Sequence, residues 1–124
     1  MSIWGIGVDV VDVDRFRETL ERTPGVRERI FTAAEAALSV ESMAARFAAK
    51  EALIKALKVP VALPWHDMEV VSDDIGAPGF TLTGTAAARA DELGVTPHLS
   101  ITHDGNLAAA FVVAELVEDG RVGA

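Results

Sequence analysis

The segment that constrains the fold most is the run from Glu41 to Lys58, which has the pattern of one long helix and is followed by Pro60. On a helical wheel the large apolar side chains share one broad sector, formed by Met43, Phe47, Leu53, Ile54 and Leu57. The opposite sector consists of alanines at positions 44, 45, 48, 49, 52 and 56. Since alanine projects little beyond the backbone, we expect this face to pack closely against a sheet.

The first strand is predicted at the start of the chain, where residues 3–10 alternate in character. The alternation assigns Trp4, Ile6, Val8 and Val10 to one face, and Ile3, Gly5, Gly7 and Asp9 to the other. Two glycines beside a carboxylate leave room for another group to approach the backbone closely. Asp9 ends this glycine face, and the alternative explanation for the two glycines is a loosely packed edge strand.

The remaining elements alternate between helices and strands. Further helices are predicted at 13–22, from 32 and at 85–93, and further strands at 67–73, 79–83, 98–103 and 107–117. Asp104-Gly105 indicates a two-residue hairpin turn between the last two strands. The order predicts one α+β domain over residues 1–124, with a mostly antiparallel sheet packed against the long central helix.

Composition excludes several classes of site and partner. The 124 residues include no cysteine, so disulfides, thiol catalysis and cysteine zinc sites are excluded and a reducing cytoplasm is expected. The formal charge of −8 argues against nucleic acid as a partner. No segment approaches the roughly 20 apolar residues that span a bilayer, and residues 1–12 lack a signal-peptide pattern, so we expect no membrane association.

One short region is basic although the chain is acidic. Residues 15–29 contain five arginines against three glutamates, and the arginines are Arg15, Arg17, Arg22, Arg27 and Arg29. One interpretation is a docking surface for an acidic protein. The other is a solvated helix on which these arginines form i,i+3 and i,i+4 ion pairs.

No strong stand-alone catalytic motif is present in the sequence. The candidates are Asp9 at a strand end, Glu51 and Lys55 one turn apart on the long helix, and His103 beside the predicted hairpin. Taken alone, the Glu51–Lys55 spacing is typical of a surface ion pair. A single histidine beside a turn is likewise more often structural than catalytic.

Read together, several blocks resemble the holo-acyl-carrier-protein synthase family in the same order along the chain. These blocks are Gly5 to Phe16, Arg29 to Glu35, Arg46 to Leu57, Gly76 to Pro78 with Leu82 to Gly84, and Ser100 to Asp104 followed by Leu107 to Glu115. The block from Arg46 to Leu57 is the most specific. The resemblance covers nearly the whole chain and implies the 4′-phosphopantetheinyl transferase fold.

The resemblance implies magnesium-dependent transfer of 4′-phosphopantetheine from coenzyme A to a serine of apo-acyl-carrier protein, releasing adenosine 3′,5′-bisphosphate. It makes Asp9 and Glu51 the magnesium ligands and places the coenzyme A diphosphate beside Lys55. It also makes Arg46, Lys50 and His103 further candidates for contacts to coenzyme A. Magnesium prefers hard oxygen ligands and commonly takes only one or two protein carboxylates.

The proton of the attacking serine has two expected routes. A magnesium-bound water, with Glu51 receiving the proton, is favoured. Direct action of Asp104 or His103 is the alternative. His66 and His98 match no functional position and are expected to be structural or exposed.

The resemblance also implies a homotrimer with active sites between subunits, and docking of the carrier protein at Arg15, Arg17 and Arg22. Alanine-rich faces at Ala44–Ala56 and Ala108–Ala114 are expected to make contacts between subunits. Whether the carrier belongs to fatty-acid or polyketide synthesis stays open.

Two other classes of function fit the same residues. One is a coenzyme A or nucleotide-binding module, or an oligomeric scaffold, without catalysis. The other is a magnesium-dependent hydrolase of nucleotide diphosphates, because Asp9 and Glu51 would serve water as well as serine.

Overall fold

A computed structural model describes residues 2–60 and 62–117, so residues 118–124 of the predicted domain lie outside the described part. The strands are β1 (Ser2–Asp12), β2 (Met68–Ser72), β3 (Pro78–Leu82), β4 (Val95–Asp104) and β5 (Leu107–Leu116). The helices are α1 (Val13–Arg22), α2 (Val26–Ile30), α3 (Ala33–Ala36), α4 (Val40–Leu57) and α5 (Gly84–Leu93), with a 3₁₀ turn at Trp65–Asp67. Within these ranges, no helix combines the length and apolar character needed to cross a membrane.

The strands form two antiparallel sheets. One has three strands in the order β1-β5-β4, and the other pairs β2 with β3. Helix α4 packs on one face of the three-stranded sheet, mainly against β1 and β5. The structure therefore confirms the predicted α+β fold with an antiparallel sheet against a long central helix.

The alanine face of α4 packs on the sheet, as its pattern predicts. Its six alanines are at most 1% exposed. A Cβ atom on Gly7 would lie 1.9 Å from the carbonyl oxygen of Ala52, and one on Gly5 would lie 2.0 Å from that of Ala56. Since real Cβ atoms do not approach that closely, only glycine at these two positions permits this separation of helix and strand.

The alanines of β5 complete the same contact from the sheet side. Ala108, Ala110 and Ala114 are at most 2% exposed and lie on the face that carries α4. The two alanine-rich faces thus pack on each other within one chain. The expectation that they make contacts between subunits is therefore wrong for these buried alanines, whereas Ala109 lies on the other face of the sheet.

The opposite face of the three-stranded sheet is open and apolar. Its exposed large side chains are Ile3, Ile6, Val8, Val10, Leu107 and Phe111, each between 45% and 56% exposed. Ile3 belongs to this outer face because the register shifts between Ile3 and Gly5, where Trp4 is the additional residue. The prediction that Ile3 shares a face with Gly5 is wrong for that reason.

Two helices end at clear capping residues. Thr32 and Glu35 form a capping box at α3, and Gly94 ends α5 with a left-handed backbone. The hairpin between β4 and β5 forms one residue later than predicted, with Gly105 and Asn106 in the loop. Helix α2 was not predicted, because five residues are too few to show a helical period.

Candidate active site

A cavity of about 310 Å³ opens between β1, α1 and α4. Asp9 comes from β1 and Glu51 from α4, so the close packing described above brings two carboxylates to one site. Arg15 of α1 lies on the same lining. Phe16 and Phe47 form its apolar side. The structure thus brings together Asp9 and Glu51, which the sequence singled out on separate elements.

Lys55 lies at the edge of this carboxylate pair. Its Nζ donates to Oδ1 of Asp9 at 3.3 Å and to the backbone oxygen of Val8 at 2.9 Å. The side chain is 52% exposed whereas that of Asp9 is 21% exposed. The lysine is therefore held beside Asp9 and remains accessible to an anionic ligand.

The carboxylate pair has the charge and donors of a divalent-cation site. Burial raises the pKa of Glu51, the nearby negative charge of Asp9 raises it further, and Lys55 opposes the change. The described residues contain no cluster of three or more His, Asp and Glu side chains that could hold a metal ion. Two carboxylates with open surroundings fit magnesium, which completes its octahedron with water and substrate oxygens.

Aromatic side chains support the apolar side of the cavity. Phe16 stacks on Phe47 at a centroid distance of 5.5 Å and meets Phe31 edge-to-face at 6.0 Å. Phe47 also packs against Trp65 at 5.6 Å. Sequence reasoning assigned these residues to the core or to no role, because no spacing rule connects positions 16 and 47. Only the blocks that carry the family resemblance contain both.

A second cavity, of about 250 Å³, lies on the other flank of α4. Arg46 and His103 line it, and the buried Nε of Arg46 has no hydrogen-bond partner among the described residues. Arg46 and Glu51 are five residues apart, which places them about 140° apart around the helix. His103 lies on β4, two strands away from Asp9, with its Nε2 3.4 Å from the backbone oxygen of Glu41.

The predicted site residues therefore divide into two groups within one chain. Asp9 and Glu51 line the first cavity, with Lys55 paired to Asp9, and Arg46 and His103 line the second. Asp104 is exposed at the end of β4, beside the hairpin loop.

Lys50 lies at neither cavity. Its side chain is 0% exposed, and its Nζ donates to Glu35 at 2.7 Å, to the backbone oxygen of Ile30 at 2.8 Å and to that of Trp65 at 3.1 Å. An ammonium group has three donors, and here protein atoms accept all of them. The expected contact between Lys50 and coenzyme A does not fit this position.

The three arginines proposed for docking differ in their surroundings. Arg17 pairs with Asp14 at 3.1 Å and with Glu41 at 3.3 Å. Arg22 approaches Glu18 at 3.8 Å, with both side chains largely exposed. Arg15 is exposed on the rim of the first cavity and has no ion pair within the described residues. The interpretation as an ion-paired helix thus fits Arg17 and Arg22, whereas Arg15 remains available to a partner protein.

The two histidines without an expected role take structural or exposed positions. Nε2 of His66 lies 2.7 Å from the backbone oxygen of Glu28, and Nε2 of His98 lies 2.8 Å from Glu115. Neither residue lines the two cavities described above.

Comparison with known proteins decides the family. Residues 5–112 match the model of the 4′-phosphopantetheinyl transferase superfamily. A holo-[acyl-carrier-protein] synthase of Frankia casuarinae is 56% identical over 117 residues, covering 93% of this chain and 99% of the relative. The chain belongs to the holo-acyl-carrier-protein synthase family.

Solved structures of this family share the fold over most of their length. The coenzyme A complex of the Chronobacterium ammoniagenes synthase is 31% identical, with a TM-score of 0.80, and the match covers 92% of this chain and 98% of that one. The Bacillus anthracis holo-(acyl-carrier-protein) synthase, in complex with CoA (3′,5′-ADP), is 33% identical, with a TM-score of 0.76 and coverage of 93% and 98%. The family resemblance and the enzyme class, a phosphopantetheinyl transferase, are confirmed.

Proposed function

We propose that this chain transfers the 4′-phosphopantetheine group of coenzyme A to a serine hydroxyl of apo-acyl-carrier protein, with magnesium, releasing adenosine 3′,5′-bisphosphate. The coenzyme A complexes of two family members support coenzyme A as the donor. The observation in this chain that carries the proposal is the cavity in which Asp9 and Glu51 face one space beside Lys55.

The carboxylates would hold the metal and the lysine would bind substrate. Asp9 and Glu51 supply the hard oxygen ligands, and Lys55 supplies a cation for the diphosphate of coenzyme A. When bound, magnesium would neutralise charge on the phosphate oxygens. Burial raises the pKa of Glu51 and the negative charge of Asp9 raises it further, so a bound cation would relieve the repulsion between the two carboxylates.

The serine proton needs an acceptor near the reacting phosphorus. We assign it to Glu51, because its side chain lines the cavity that would hold the reacting phosphate. His103 and Asp104 do not line this cavity in their own chain, and we propose that a neighbouring subunit brings them to it.

We propose a homotrimer whose sites are completed between subunits. The open apolar face of the sheet supports this proposal, because Val8 and Val10 are each 56% exposed on the strand that carries Asp9. Val10 also lines the first cavity. A second copy covering this face would approach the Asp9–Glu51 cavity, and its Arg46 and His103 could then serve coenzyme A there.

The carrier protein is placed at the rim formed by α1. Arg15 is exposed beside Asp9 and Glu51 and is suited to meet an acidic partner near the reacting serine. Arg17 and Arg22 lie on the same helix and extend the basic surface.

Incubation of the unmodified chain with apo-carrier protein, coenzyme A and magnesium, followed by mass spectrometry, tests this function. Transfer adds phosphopantetheine to the carrier and yields adenosine 3′,5′-bisphosphate. Cleavage of coenzyme A without carrier would indicate the hydrolase instead. Absence of both reactions would indicate a coenzyme A or nucleotide-binding module without catalysis.

A further inference from the structure

The buried Lys50 stands next to Glu51 on α4, and its role is separate from that of the cavity. Lys50 is 0% exposed and its partner Glu35 is 1% exposed. Three acceptors hold the ammonium: Glu35, Ile30 and Trp65. A lysine whose three donors are all used by fixed protein atoms cannot change its position without breaking hydrogen bonds.

Glu35 is itself fixed by a backbone group at the start of its own helix, α3, and by one in β2. Its Oε1 accepts from the backbone N–H of Thr32 at 3.0 Å, and its Oε2 accepts from that of Val70 at 2.8 Å. Lys50 thus ties α4 to the end of α2, to α3, to the 3₁₀ turn and, through Glu35, to β2. We call Lys50 and Glu35 with these hydrogen bonds the Lys50 clamp.

The Lys50 clamp and the sheet hold α4 from two directions. Successive residues are about 100° apart around a helix, so Lys50 and Ala52 lie on either side of Glu51. The backbone of Ala52 rests against Gly7 of β1, and Lys50 is anchored in the core. Glu51 therefore projects between two fixed sides of the helix. Rotation of α4 about its axis would break either the Lys50 clamp or the contact between Ala52 and Gly7.

The clamp is costly if its role is only to stabilise the fold. Lys50 is 0% exposed, so its charged group has lost its contact with water. Buried ion pairs are often no more stabilising than apolar side chains of similar size. A role in fixing the orientation of α4 therefore explains the buried Lys50–Glu35 pair better than a contribution to stability alone.

We propose that Lys50, held by Glu35, is a positioning residue for the transfer reaction that fixes the rotation of α4 so that Glu51 faces Asp9. The inference rests on the proposed function of the Asp9–Glu51 cavity. Lys50 acts through α4 and touches no substrate.

The test compares Lys50→Met with the double variant Lys50→Met, Glu35→Gln. Removing Lys50 alone leaves a buried unpaired carboxylate and destabilises the chain, whereas neutralising both partners removes the buried charge and recovers part of that stability. Met43→Ala is the matched control, because Met43 is a fully buried residue of the same helix outside the clamp. Unfolding in denaturant, kcat and KM are measured for each variant.

A purely structural role predicts that kcat recovers with stability in the double variant. The positioning role predicts that kcat stays at least about 10-fold low, since small displacements in an active site cost large factors in rate. Met43→Ala should keep nearly normal kcat while folded. Recovery of kcat in the double variant would overturn the proposal.

A second measurement does not depend on activity. Nuclear Overhauser contacts between the Hα protons of Gly7 and the amide proton of Ala56 report the rotation of α4 against β1, because the Ala56 nitrogen lies 3.0 Å from the Cβ position of Gly7. They should weaken in the double variant and persist in Met43→Ala; contacts retained in the double variant overturn the proposal. If the unmodified chain transfers nothing, the proposed function fails, and these contacts still decide whether Lys50 orients α4.

Discussion

Lys55 and Asp9 are joined across α4 and β1 by a contact of 3.3 Å between the ammonium nitrogen and Oδ1 of the carboxylate. The same nitrogen lies 2.9 Å from the backbone oxygen of Val8, so the lysine contacts two consecutive residues of the strand. Lys55 thereby offsets part of the negative charge of the Asp9–Glu51 pair. Its remaining exposure leaves it open to a substrate diphosphate.

Neutralising either carboxylate should abolish most of the transfer without unfolding the chain. Asp9→Asn and Glu51→Gln each remove one charged oxygen ligand while keeping side-chain size. We expect kcat/KM to fall at least about 100-fold, the scale for loss of a group that stabilises transition-state charge. Transfer and circular dichroism are measured on the same samples. The exposed Asp91→Asn serves as the control, and near-normal turnover of either folded site variant at low magnesium would remove that residue from the metal site.

Gly7→Ala should damage both stability and activity. The added Cβ would meet the carbonyl oxygen of Ala52 at 1.9 Å, so α4 must move away from β1. Overpacking of this kind costs about 1–3 kcal/mol, and the movement also separates Glu51 from Asp9. Gly79→Ala on β3 is the control, since nothing lies within 4 Å of its Cβ position. Denaturant unfolding and kcat are compared for the two, and equal stability would contradict the close-packing argument.

Arg15→Glu should raise KM for the carrier protein far more than KM for coenzyme A. Arg15 is exposed on the cavity rim and has no ion pair among the described residues, so charge reversal directly repels an acidic partner. Added salt should weaken carrier binding by the unmodified chain, because exposed charges are screened over about 8 Å at physiological ionic strength. The exposed Arg29→Glu, on α2, is the matched control. Equal effects of Arg15→Glu on both KM values would contradict docking at α1.

Asp12 should make part of the stability dependent on acid pH. Its Oδ1 accepts from the backbone N–H of Arg15 at 2.9 Å and from Asn106 at 2.8 Å, and these contacts lower its pKa, the Arg15 bond most strongly. Because the folded pKa lies below the unfolded value, the unfolded chain binds more protons as pH falls. The stabilisation is therefore present above the unfolded pKa of about 4 and is lost as pH falls through the folded pKa.

The measurement is denaturant unfolding of the unmodified chain, Asp12→Asn and Asp12→Ala between about pH 6 and pH 2.5. Asparagine also caps helices, so Asp12→Asn should keep much of the neutral-pH stability and lose less of it in acid. Asp12→Ala should be less stable than Asp12→Asn across the range. An identical acid dependence of the unmodified chain and Asp12→Asn would show that Asp12 does not contribute to it.

The fold followed from local patterns because its elements have distinct periods and end signals. The alternation of β1, the alanine face of α4 and the capping box at Thr32 are each visible within a few residues of sequence. The register shift at Trp4 was not predictable, because the residues on each side of an extra residue in a strand still alternate between the two faces. The short helix α2 carries too few residues for any period.

The candidate site could be predicted only in part for a different reason. Asp9, Glu51 and Lys55 were candidates from their positions, but their roles came only from the resemblance, and the spacing of Glu51 and Lys55 alone also fitted a surface ion pair. The buried position of the Lys50 side chain depends on its hydrogen bonds to Glu35, Ile30 and Trp65. Those partners lie on other elements, and no local pattern indicates that a lysine next to Glu51 turns into the core.

Complementation between inactive subunits should test the shared site. Glu51→Ala removes one half of the proposed site, and the paired change His103→Ala with Asp104→Ala removes the other. When the two are denatured and refolded together, mixed trimers should contain a site with both halves unmodified, so activity should rise with the fraction of mixed trimers measured by native mass spectrometry. Mixing Asp9→Ala with Glu51→Ala is the control and should restore nothing, because both changes affect the half that one chain supplies. Mixed trimers without recovered activity would show that His103 and Asp104 do not complete a neighbour's site. In that case the hairpin would act within its own subunit.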